Sequence, residues 1–306
     1  MHKIFIDGSA GTTGLRIRER LSDRKDLELM ILPDELRKDT AARAEMLNNS
    51  DISFLCLPDA AAVEAVSLIT NPDTVVIDTS TAHRTADGWT YGMPELTGLR
   101  EQLKTATRIA NPGCHASGFI ALVRPLVESG IISADNTLSC FSLTGYSGGG
   151  KKMIAEYEAE DRDPLLDAPR IYALGQAHKH LPEMQKLCGL TKEPVFSPIV
   201  APFYSGMEVS VSLASAFISA SLSDIQTVYR DYYKSGLIRY DDSDEGGFIS
   251  AAAFSGRDDM VVAAFGNDER ITLISRFDNL GKGASGAAIQ NMNIRLGLDE
   301  ATGLVI

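Results

Sequence analysis

One cysteine of the chain stands in a context that suits covalent chemistry. Cys114 follows Asn111-Pro112-Gly113 and precedes "HASGFIALVRPLV", whose apolar spacing predicts a helix. A thiol at a helix N-terminus has its thiolate stabilised by the helix dipole and by the N–H groups of the first turn. The same N–H groups can hold an oxyanion once the thiolate attacks a carbonyl, and Asn111 is a further donor. The pattern indicates a nucleophile, although most isolated cysteines are small core residues.

Two histidines are the strongest candidates for a proton-transferring partner of this thiol. His178 and His180 precede "LPEMQKLCG", where Pro182 suits the first turn of a helix. In an extended segment both imidazoles would face the same side, and either could be the general acid or base. A capping or surface role is the alternative, and a metal pair would lack an evident third ligand. His115 is a weaker candidate, because its ring can point away from the adjacent Cys114.

A glycine-rich turn near the start of the chain predicts a dinucleotide site. The segment "DGSAGTTG" follows a predicted strand and opens a predicted helix, as a nucleotide fingerprint requires. Its glycines would let the backbone approach a pyrophosphate, which would meet the N–H groups of the helix N-terminus. The spacing is G-x-x-G-x-x-G, and a tight turn without a ligand is the alternative. The residues expected to contact the cofactor are Gly8, Ser9, Gly11, Thr12, Thr13 and Gly14.

The loop after the second predicted strand should select the cofactor, and its residues point both ways. Asp34 could accept a hydrogen bond from a ribose 2′-hydroxyl, which favours NAD. Arg37 and Lys38 could hold a 2′-phosphate, which favours NADP. Solvation of a polar loop is the alternative for all three, so the residues alone leave the choice open.

Basic and glycine-rich segments could form an anion pocket. Arg84 follows a predicted strand in "TSTAHRT", and "GYSGGGKK" supplies Ser147, three glycines and Lys151. Successive backbone N–H groups in such a loop can bind an anion. Either segment, taken alone, is equally typical of an ordinary flexible loop.

Alternating strands and helices must position the first set of these residues. Strands are predicted in "KIFIDG", "LELMIL", "ISFLCLP" and "TVVIDTS", and helices in "LRIRERLSDR", "AARAEMLNNS" and "AAAVEAVSLI". We expect Asp59 to cap the last of these helices. Alternation on this scale predicts a parallel, doubly wound sheet.

After residue 120 the pattern changes. The segments "NTLSCFSLTG", "EVSVSLASAF", "MVVAAFG" and "RITLISRF" are β-branched and partly alternating, which is typical of a mostly antiparallel sheet. "GNDER" predicts a hairpin connection between the last two. The acidic segment 240–247 is most simply a solvated loop.

Composition narrows the function classes. The chain has 306 residues, which favours two domains, and 44% are hydrophobic, which is ample for globular cores. A net charge of −12 disfavours binding to nucleic acid or an anionic membrane. No run of ~20 apolar residues is long enough to span a bilayer, and no signal peptide is evident at the start. Four scattered cysteines predict neither a disulfide framework nor a zinc site, so a cytoplasmic location is expected.

The motifs together resemble a known family. "GSAGTTG", "STAHRT", "YGMPEL", "NPGCHASGF", "GYSGGGK", "HKHLPE" and "DNLGKGASGAAIQNMN" are similar to segments of N-acetyl-gamma-glutamyl-phosphate reductases of arginine biosynthesis, in their shorter form. The resemblance runs from residue 4 to about residue 296, and the cysteine and C-terminal segments are its most specific parts. Its cysteine segment usually has an aromatic residue and then Thr, where this chain has His115 and Ser117.

The resemblance implies a fold and a division into domains. The family is similar to aspartate-semialdehyde dehydrogenase, so the expected class is α/β plus α+β. A Rossmann-type parallel-sheet domain would comprise residues 1–113, completed by a C-terminal helix over residues 284–306. Residues 114–283 would form a mostly antiparallel-sheet catalytic and substrate domain. A homodimer or homotetramer is expected.

The resemblance also implies residue roles. The cofactor would be NADPH, which favours Arg37 and Lys38 over Asp34. His180, or else His178, would be the acid or base. The resemblance implies that further cofactor contacts come from Cys56, Pro58, Ser147, Gly148, Gly281 and Gly283, with Gly286 near the nicotinamide. It implies that the acyl phosphate is bound by Arg84, Ser147 and Gly149.

The implied reaction has two halves. Cys114 would attack the γ-acyl phosphate of N-acetylglutamate and expel phosphate, and hydride from NADPH would then reduce the thioester to the semialdehyde. Aspartyl phosphate and N-acetyl-aminoadipyl phosphate are alternative substrates, since chain length cannot be deduced from the residues. A nucleotide-binding redox sensor, whose Cys114 is oxidised and not acylated, is the alternative from another class, but it would need no phosphate pocket.

Overall fold

Six strands from the first part of the chain pair in one sheet, in a computed structural model that describes residues 1–306 apart from the side chain of Phe217. The strands are β1 (His2–Asp7), β2 (Leu27–Met30), β3 (Ile52–Leu55), β4 (Val75–Asp78), β5 (Thr90–Tyr91) and β6 (Arg108–Ala110). Their order is β2-β1-β3-β4-β6-β5, and every pair is parallel. The predicted parallel sheet is confirmed, and β5 and β6 are additions that the sequence patterns did not predict.

Helices follow the strands of this sheet: α1 (Thr12–Leu21), α2 (Thr40–Asn49), α3 (Asp59–Ser67) and α4 (Leu99–Leu103). Strands β3 and β4 are buried along their whole length, as expected for a parallel sheet covered on both faces. Alternate residues of β1 belong to different apolar clusters: Ile4 and Ile6 lie in one cluster, and Phe5 lies in another. The period-2 geometry of a strand produces this division.

The predicted cap at Asp59 is wrong. Helix α3 begins at Asp59 itself, its N-cap residue is Pro58, and no side chain caps it. The Asp59 carboxylate instead accepts hydrogen bonds from the N–H and hydroxyl groups of Thr81, the first at 2.9 Å. The carboxylate that the local pattern predicted to cap the helix is therefore hydrogen-bonded to a residue 22 positions further along the chain.

A seven-stranded sheet forms the second part of the protein. Its strands are β7 (Ser139–Gly145), β8 (Arg170–Ile171), β9 (Val195–Ala201), β10 (Met207–Ala214), β11 (Ile238–Tyr240), β12 (Met260–Asn267) and β13 (Arg270–Phe277). The order is β11-β12-β13-β10-β7-β9-β8. Four of its pairs are antiparallel, and the pairs β7–β9 and β11–β12 are parallel. The predicted mostly antiparallel sheet is confirmed.

Four further helices accompany this sheet: α5 (Cys114–Glu128), α6 (Gly150–Glu158), α7 (Leu181–Cys188) and α8 (Leu222–Tyr232). Helix α5 packs against β10 and β13, and α8 packs against β12. Strands β12 and β13 form the predicted hairpin, with Asp268 and Glu269 between them. Among the described residues, none of the helices combines the length and the apolar character that crossing a membrane requires.

The last helix, α9 (Gly286–Arg295), follows a π-helical turn over Gly281–Ser285. Its residues Ala288, Ile289 and Met292 share a buried apolar cluster with Ile4 and Ile52 of the parallel sheet. The chain thus divides into two compact units, residues 1–112 with 284–305, and residues 113–283 with Ile306.

Candidate active site

Cys114 is the first residue of α5. Gly113 is the N-cap residue, with an extended backbone (φ −82°, ψ 142°), and no side chain caps the helix. The first backbone bond of the helix joins the N–H of Ser117 to the carbonyl of Gly113 at 2.8 Å. In an α-helix the N–H groups of the first turn have no acceptor within the helix itself, and Cys114 stands at this end. This is the arrangement that stabilises a thiolate and can hold an oxyanion.

The other three cysteines have surroundings that keep their thiols protonated. Burial raises the pKa of Cys56 to about 12, although the residue as a whole is partly exposed. Burial also raises the pKa of Cys140 and of Cys188 well above the ordinary range. Only a thiolate is a strong nucleophile, so these three thiols are unsuited to covalent chemistry near neutral pH.

His178 and His180 lie together in a turn at the start of α7. The N–H of Leu181 donates to the carbonyl of His178 at 3.0 Å, and His180, the N-cap residue, has a helical backbone. The extended segment assumed from the sequence is therefore wrong at this point. The two rings are still neighbours in this turn, with centroids 4.7 Å apart. The backbone N–H of His180 donates to Nδ1 of the His178 ring at 3.2 Å.

His115 joins this pair, and Tyr172 completes the group. The centroid of the His115 ring lies 5.6 Å from that of each of the other two histidines. Its Nδ1 is 2.6 Å from the hydroxyl of Ser142, and its Nε2 is 2.8 Å from the hydroxyl of Tyr172. Burial, and then the charge of His178, lower the pKa of His115 to about 3. His115 is therefore a neutral scaffold residue at physiological pH.

Two contacts of this group were not foreseen in the sequence. Burial, and then the nearby Cys114, raise the pKa of Tyr172. The carboxylate of Glu183, which is only 1% exposed, accepts a hydrogen bond from the N–H of Gly113 at 2.8 Å. No sequence motif marks Tyr172, whereas Glu183 lies in the segment "HKHLPE" that carries the family resemblance.

Among the described residues, no group of three His, Cys, Asp or Glu side chains could hold a metal ion.

The glycine-rich loop at residues 145–150 is hydrogen-bonded to Asn279, which follows β13. Its residues Tyr146–Gly149 form a single 3-10 turn, in which Ser147 is buried while Gly148 and Gly149 are exposed. The side-chain amide of Asn279 donates to the hydroxyl of Ser147 at 3.0 Å and accepts from the N–H of Gly206 at 2.9 Å. Asn279 follows β13 and was not foreseen from the sequence.

Gly281 and Gly283 lie in the π-helical turn before α9. A Cβ atom at Gly283 would stand 2.9 Å from the Cβ of Cys114 and 3.1 Å from the carbonyl oxygen of Asp278. The backbone of this turn therefore passes directly over Cys114, which a larger residue would prevent. Gly281 is equally confined, by the carbonyl oxygen of Arg257.

The glycine turn after β1 fits a dinucleotide. Gly8 has φ +90°, and a Cβ atom there or at Gly14 would meet backbone carbonyl groups, of Cys56 and of Gly8 respectively. Helix α1 begins at Thr12 with Gly11 as its N-cap residue and no side chain over its N-terminus. Exposed N–H groups on a turn that excludes side chains are what a pyrophosphate needs.

A cavity of about 100 Å³ opens at the ends of β1 and β2, beside this turn. Arg37 lines it and pairs with Asp34, and Arg18 of α1 lines it as well. Lys38 and Asp34 are not among its lining residues, and Arg18 was not foreseen from the sequence. Arginine residues that line one small cavity suit a phosphate group.

Arg84 and Asn111 meet in the first unit. Nε of Arg84 donates to the backbone carbonyl of Asn111 at 2.9 Å, and its terminal nitrogen donates to the carbonyl of Thr79 at 3.1 Å. The Asn111 side chain, only 1% exposed, donates to the carbonyl of Ala284 at 3.0 Å. Both predicted residues thus lie at the carboxyl ends of β4 and β6.

The predicted site residues divide between the two units. The first unit holds Gly8, Ser9, Gly11, Thr12, Thr13, Gly14, Arg37, Lys38, Cys56, Pro58, Arg84 and Asn111. The second holds Cys114, Ser147, Gly148, Gly149, His178, His180, Gly281 and Gly283.

Comparison with known proteins gives a consistent result. Residues 33–106 match the family model of the semialdehyde dehydrogenase NAD binding domain, and residues 114–279 match that of the semialdehyde dehydrogenase dimerisation domain. The chain is 43% identical to N-acetyl-gamma-glutamyl-phosphate reductase 2 of Nostoc sp., covering 99% of both chains. It is 46% identical to N-acetyl-gamma-glutamyl-phosphate reductase of Mesorhizobium japonicum, covering 97% of this chain and 99% of the relative.

The chain belongs to the N-acetyl-gamma-glutamyl-phosphate reductase family. The resemblance stated from the motifs is thereby confirmed. This family shares its fold with aspartate semialdehyde dehydrogenases. Aspartate semialdehyde dehydrogenase II of Vibrio cholerae, complexed with ASA, has a TM-score of 0.73 at 15% identity, covering 97% of this chain and 98% of that one. The enzyme of Candida albicans, solved with NADP, has a TM-score of 0.70 at 15% identity, covering 97% and 100%.

Proposed function

We propose that this protein reduces N-acetyl-gamma-glutamyl phosphate to N-acetylglutamate 5-semialdehyde and phosphate, with NADPH, in arginine biosynthesis. The observation that carries the proposal is Cys114 at the open N-terminus of α5, in a chain 43% and 46% identical to reductases of that name over nearly its full length. The fold and the histidine turn are what such a reaction requires.

Cys114 is the proposed nucleophile. Its thiolate forms a C–S bond to the γ-acyl carbon, and the C–O bond to phosphate breaks. The N–H groups at the start of α5 hold the oxyanion of the tetrahedral intermediate, and Asn111 is proposed to assist. Bound NADPH would supply the hydride that converts the thioester to the aldehyde.

His180 and His178 are the proposed acid and base. One of them takes the thiol proton of Cys114 before attack and returns a proton as the thiolate leaves. His180 is the buried N-cap residue of α7, and His178 uses Nδ1 to accept from the backbone N–H of His180. His115, neutral and held between Ser142 and Tyr172, supports the two rings.

The proposed dinucleotide-binding domain comprises residues 1–113 and the C-terminal segment 284–306, of which only Gly286–Arg295 forms an α-helix, shorter than the predicted one. The turn from Gly8 to Gly14 would hold the pyrophosphate, and Arg37, with Lys38 nearby, the 2′-phosphate. The cavity that Arg37 lines supports this choice of NADPH. The remaining cofactor contacts are proposed for Cys56, Pro58, Ser147, Gly148, Gly281 and Gly283.

The proposed catalytic and substrate domain comprises residues 114–283. Ser147 and Gly149 are proposed to bind the acyl phosphate, together with Arg84 of the first unit. The exposed position of Gly149 and the fixed hydroxyl of Ser147 support roles for the loop. Arg84 is anchored by two carbonyl groups, which would present its guanidinium in a constant orientation.

We also propose that the protein is a homodimer or homotetramer. One face of the seven-stranded sheet carries Phe141, Ile171 and Val195, which are 54%, 51% and 49% exposed. Such an apolar sheet face, in a segment that matches a dimerisation domain, suits contact with a second copy of the chain. A reactive thiol requires a reducing compartment, so we propose that the enzyme works in the cytoplasm.

The reverse reaction tests the proposal. Purified protein should form NADPH from NADP and N-acetylglutamate semialdehyde when phosphate is present. Aspartate semialdehyde and N-acetyl-aminoadipate semialdehyde are the comparison substrates, and a preference for either would overturn the proposed substrate. Size-exclusion chromatography with light scattering gives the oligomeric state.

A further inference from the structure

One buried hydrogen bond joins the turn that carries the cysteine to the turn that carries the histidines. Gly113, whose N–H donates to Glu183 at 2.8 Å, directly precedes Cys114. Glu183 is the third residue of α7, and His180 is the N-cap residue of that helix. The bond therefore ties the starting points of two helices, each of which bears a residue proposed to react.

The bond from Gly113 to Glu183 differs from the usual hydrogen bonding at a helix start. A glutamate at the third position of a helix ordinarily accepts from the backbone N–H of the N-cap residue. Here that N–H belongs to His180 and donates to Nδ1 of His178 instead. His178 thus accepts from the N-cap N–H, and the Glu183 carboxylate accepts from Gly113 of the neighbouring helix.

A second bond joins the same two helices away from the reacting residues. A terminal nitrogen of Arg124, in α5, donates to the backbone carbonyl of Leu187, in α7, at 2.9 Å. Helices α5 and α7 also pack directly against each other. The two helices are thus also joined away from Cys114, whereas the bond of Glu183 acts at the end where Cys114 lies.

We propose that Glu183 is a positioning residue, which sets the place of Cys114 relative to His180 through the N–H of Gly113. This inference rests on the proposed function, because it assumes that Cys114 and a histidine react together. Glu183 is only 1% exposed, so its acceptor oxygen holds the N–H of Gly113 with little competition from water. Position, rather than charge, is the property that matters in this account.

Two conservative variants separate position from charge. Glu183→Asp keeps the carboxylate but withdraws it by one methylene, so the bond to Gly113 is lost. Its kcat should fall roughly 100-fold, the cost of misplacing a reacting group by about 1 Å, while KM for the semialdehyde stays within about twofold. Glu183→Gln keeps an acceptor oxygen at the same reach and should retain most of the wild-type kcat.

The rate at which iodoacetamide alkylates Cys114 at pH 7 tests the role of Glu183 without any substrate. Glu183→Asp should slow it by about tenfold, because the thiolate is no longer aligned with the helix N-terminus, and Glu183→Gln should not. Arg124→Gln is the matched control: it should lower the melting temperature and leave kcat and alkylation unchanged. A Glu183→Asp protein with wild-type alkylation, or a Glu183→Gln protein as impaired as Glu183→Asp, would overturn the proposal. A wrong proposed function would instead show as a wild-type protein that alkylates at Cys114 but does not turn over the semialdehyde.

Discussion

A Cβ atom at Gly283 would lie 2.9 Å from the Cβ atom of Cys114. That added Cβ atom would also lie 3.1 Å from the carbonyl oxygen of Asp278 and 3.2 Å from the ring of Phe277. Neither the backbone nor the buried ring can yield easily, so an alanine at this position must displace the turn or the cysteine.

Gly283→Ala should therefore lower kcat roughly 100-fold, since a displaced nucleophile reacts slowly, and overpacking of the turn should also lower the melting temperature. Steady-state kinetics and thermal melting measure the two effects. Gly175→Ala is the control, because nothing lies within 4 Å of a Cβ atom there. Equal activity of the two variants would show that the space above Cys114 is not required.

Cys114→Ser should abolish turnover while NADPH still binds, because serine keeps the shape of the thiol but is not ionised near neutral pH. Mass spectrometry after brief treatment of the wild-type protein with iodoacetamide should find the label on Cys114. The raised pKa of each of the other three thiols protects them. Activity in Cys114→Ser above a few per cent of wild type, after contamination is excluded, would remove Cys114 from its role.

Arg37→Ala should raise KM for NADPH far more than KM for NADH. A hydrogen bond to a charged group contributes about 1.5–3 kcal/mol, which corresponds to a rise in KM of about 10- to 150-fold. Lys38→Ala should have a smaller effect, because Lys38 does not line the cavity that Arg37 lines. If Arg37→Ala weakens both cofactors equally, the loop that begins at Asp34 does not bind the 2′-phosphate.

His115 should make the stability of the fold depend on pH. Its pKa is about 3 in the folded protein against an ordinary value of 6.5, so the unfolded chain binds more protons between these values. Its contribution is complete above about pH 6.5 and is lost as the pH falls towards 3. The free energy of unfolding should therefore fall by about 2 kcal/mol more between pH 7.5 and pH 5 in wild type than in His115→Gln.

Urea unfolding at the two pH values measures this difference. His2→Gln is the control, because it removes an exposed imidazole from β1. An identical pH dependence in wild type and His115→Gln would mean that the buried imidazole is charged in the fold.

Local patterns predicted the sheets and the position of Cys114 at the start of a helix. Strands such as Val75–Asp78 are continuous apolar runs, and Cys114 stands between Gly113 and a helical apolar stripe, so both features depend on neighbours in sequence. The spacing of glycines in the turn at residues 8–14 is local for the same reason.

Contacts between distant segments could not be predicted in this way. The carboxylate of Glu183 reaches Gly113, 70 positions earlier, and Asn279 holds Ser147, 132 positions earlier. Nothing in the neighbourhood of either residue specifies its partner, because the packing of whole helices and strands brings them together. For the same reason, the Asp59 carboxylate accepts a hydrogen bond from Thr81 and does not cap α3 as predicted.

The central claim is that Cys114 forms a thioester before phosphate takes part, and rapid mixing tests it most directly. With N-acetylglutamate semialdehyde and NADP but no phosphate, the enzyme should form about one NADPH per active site in a burst and then stall as acyl-enzyme. Phosphate or arsenate should restore steady turnover, and Arg84→Ala should keep the burst while losing phosphate-dependent turnover. A burst that requires phosphate would contradict the order of steps, and normal phosphate dependence in Arg84→Ala would contradict the proposed pocket.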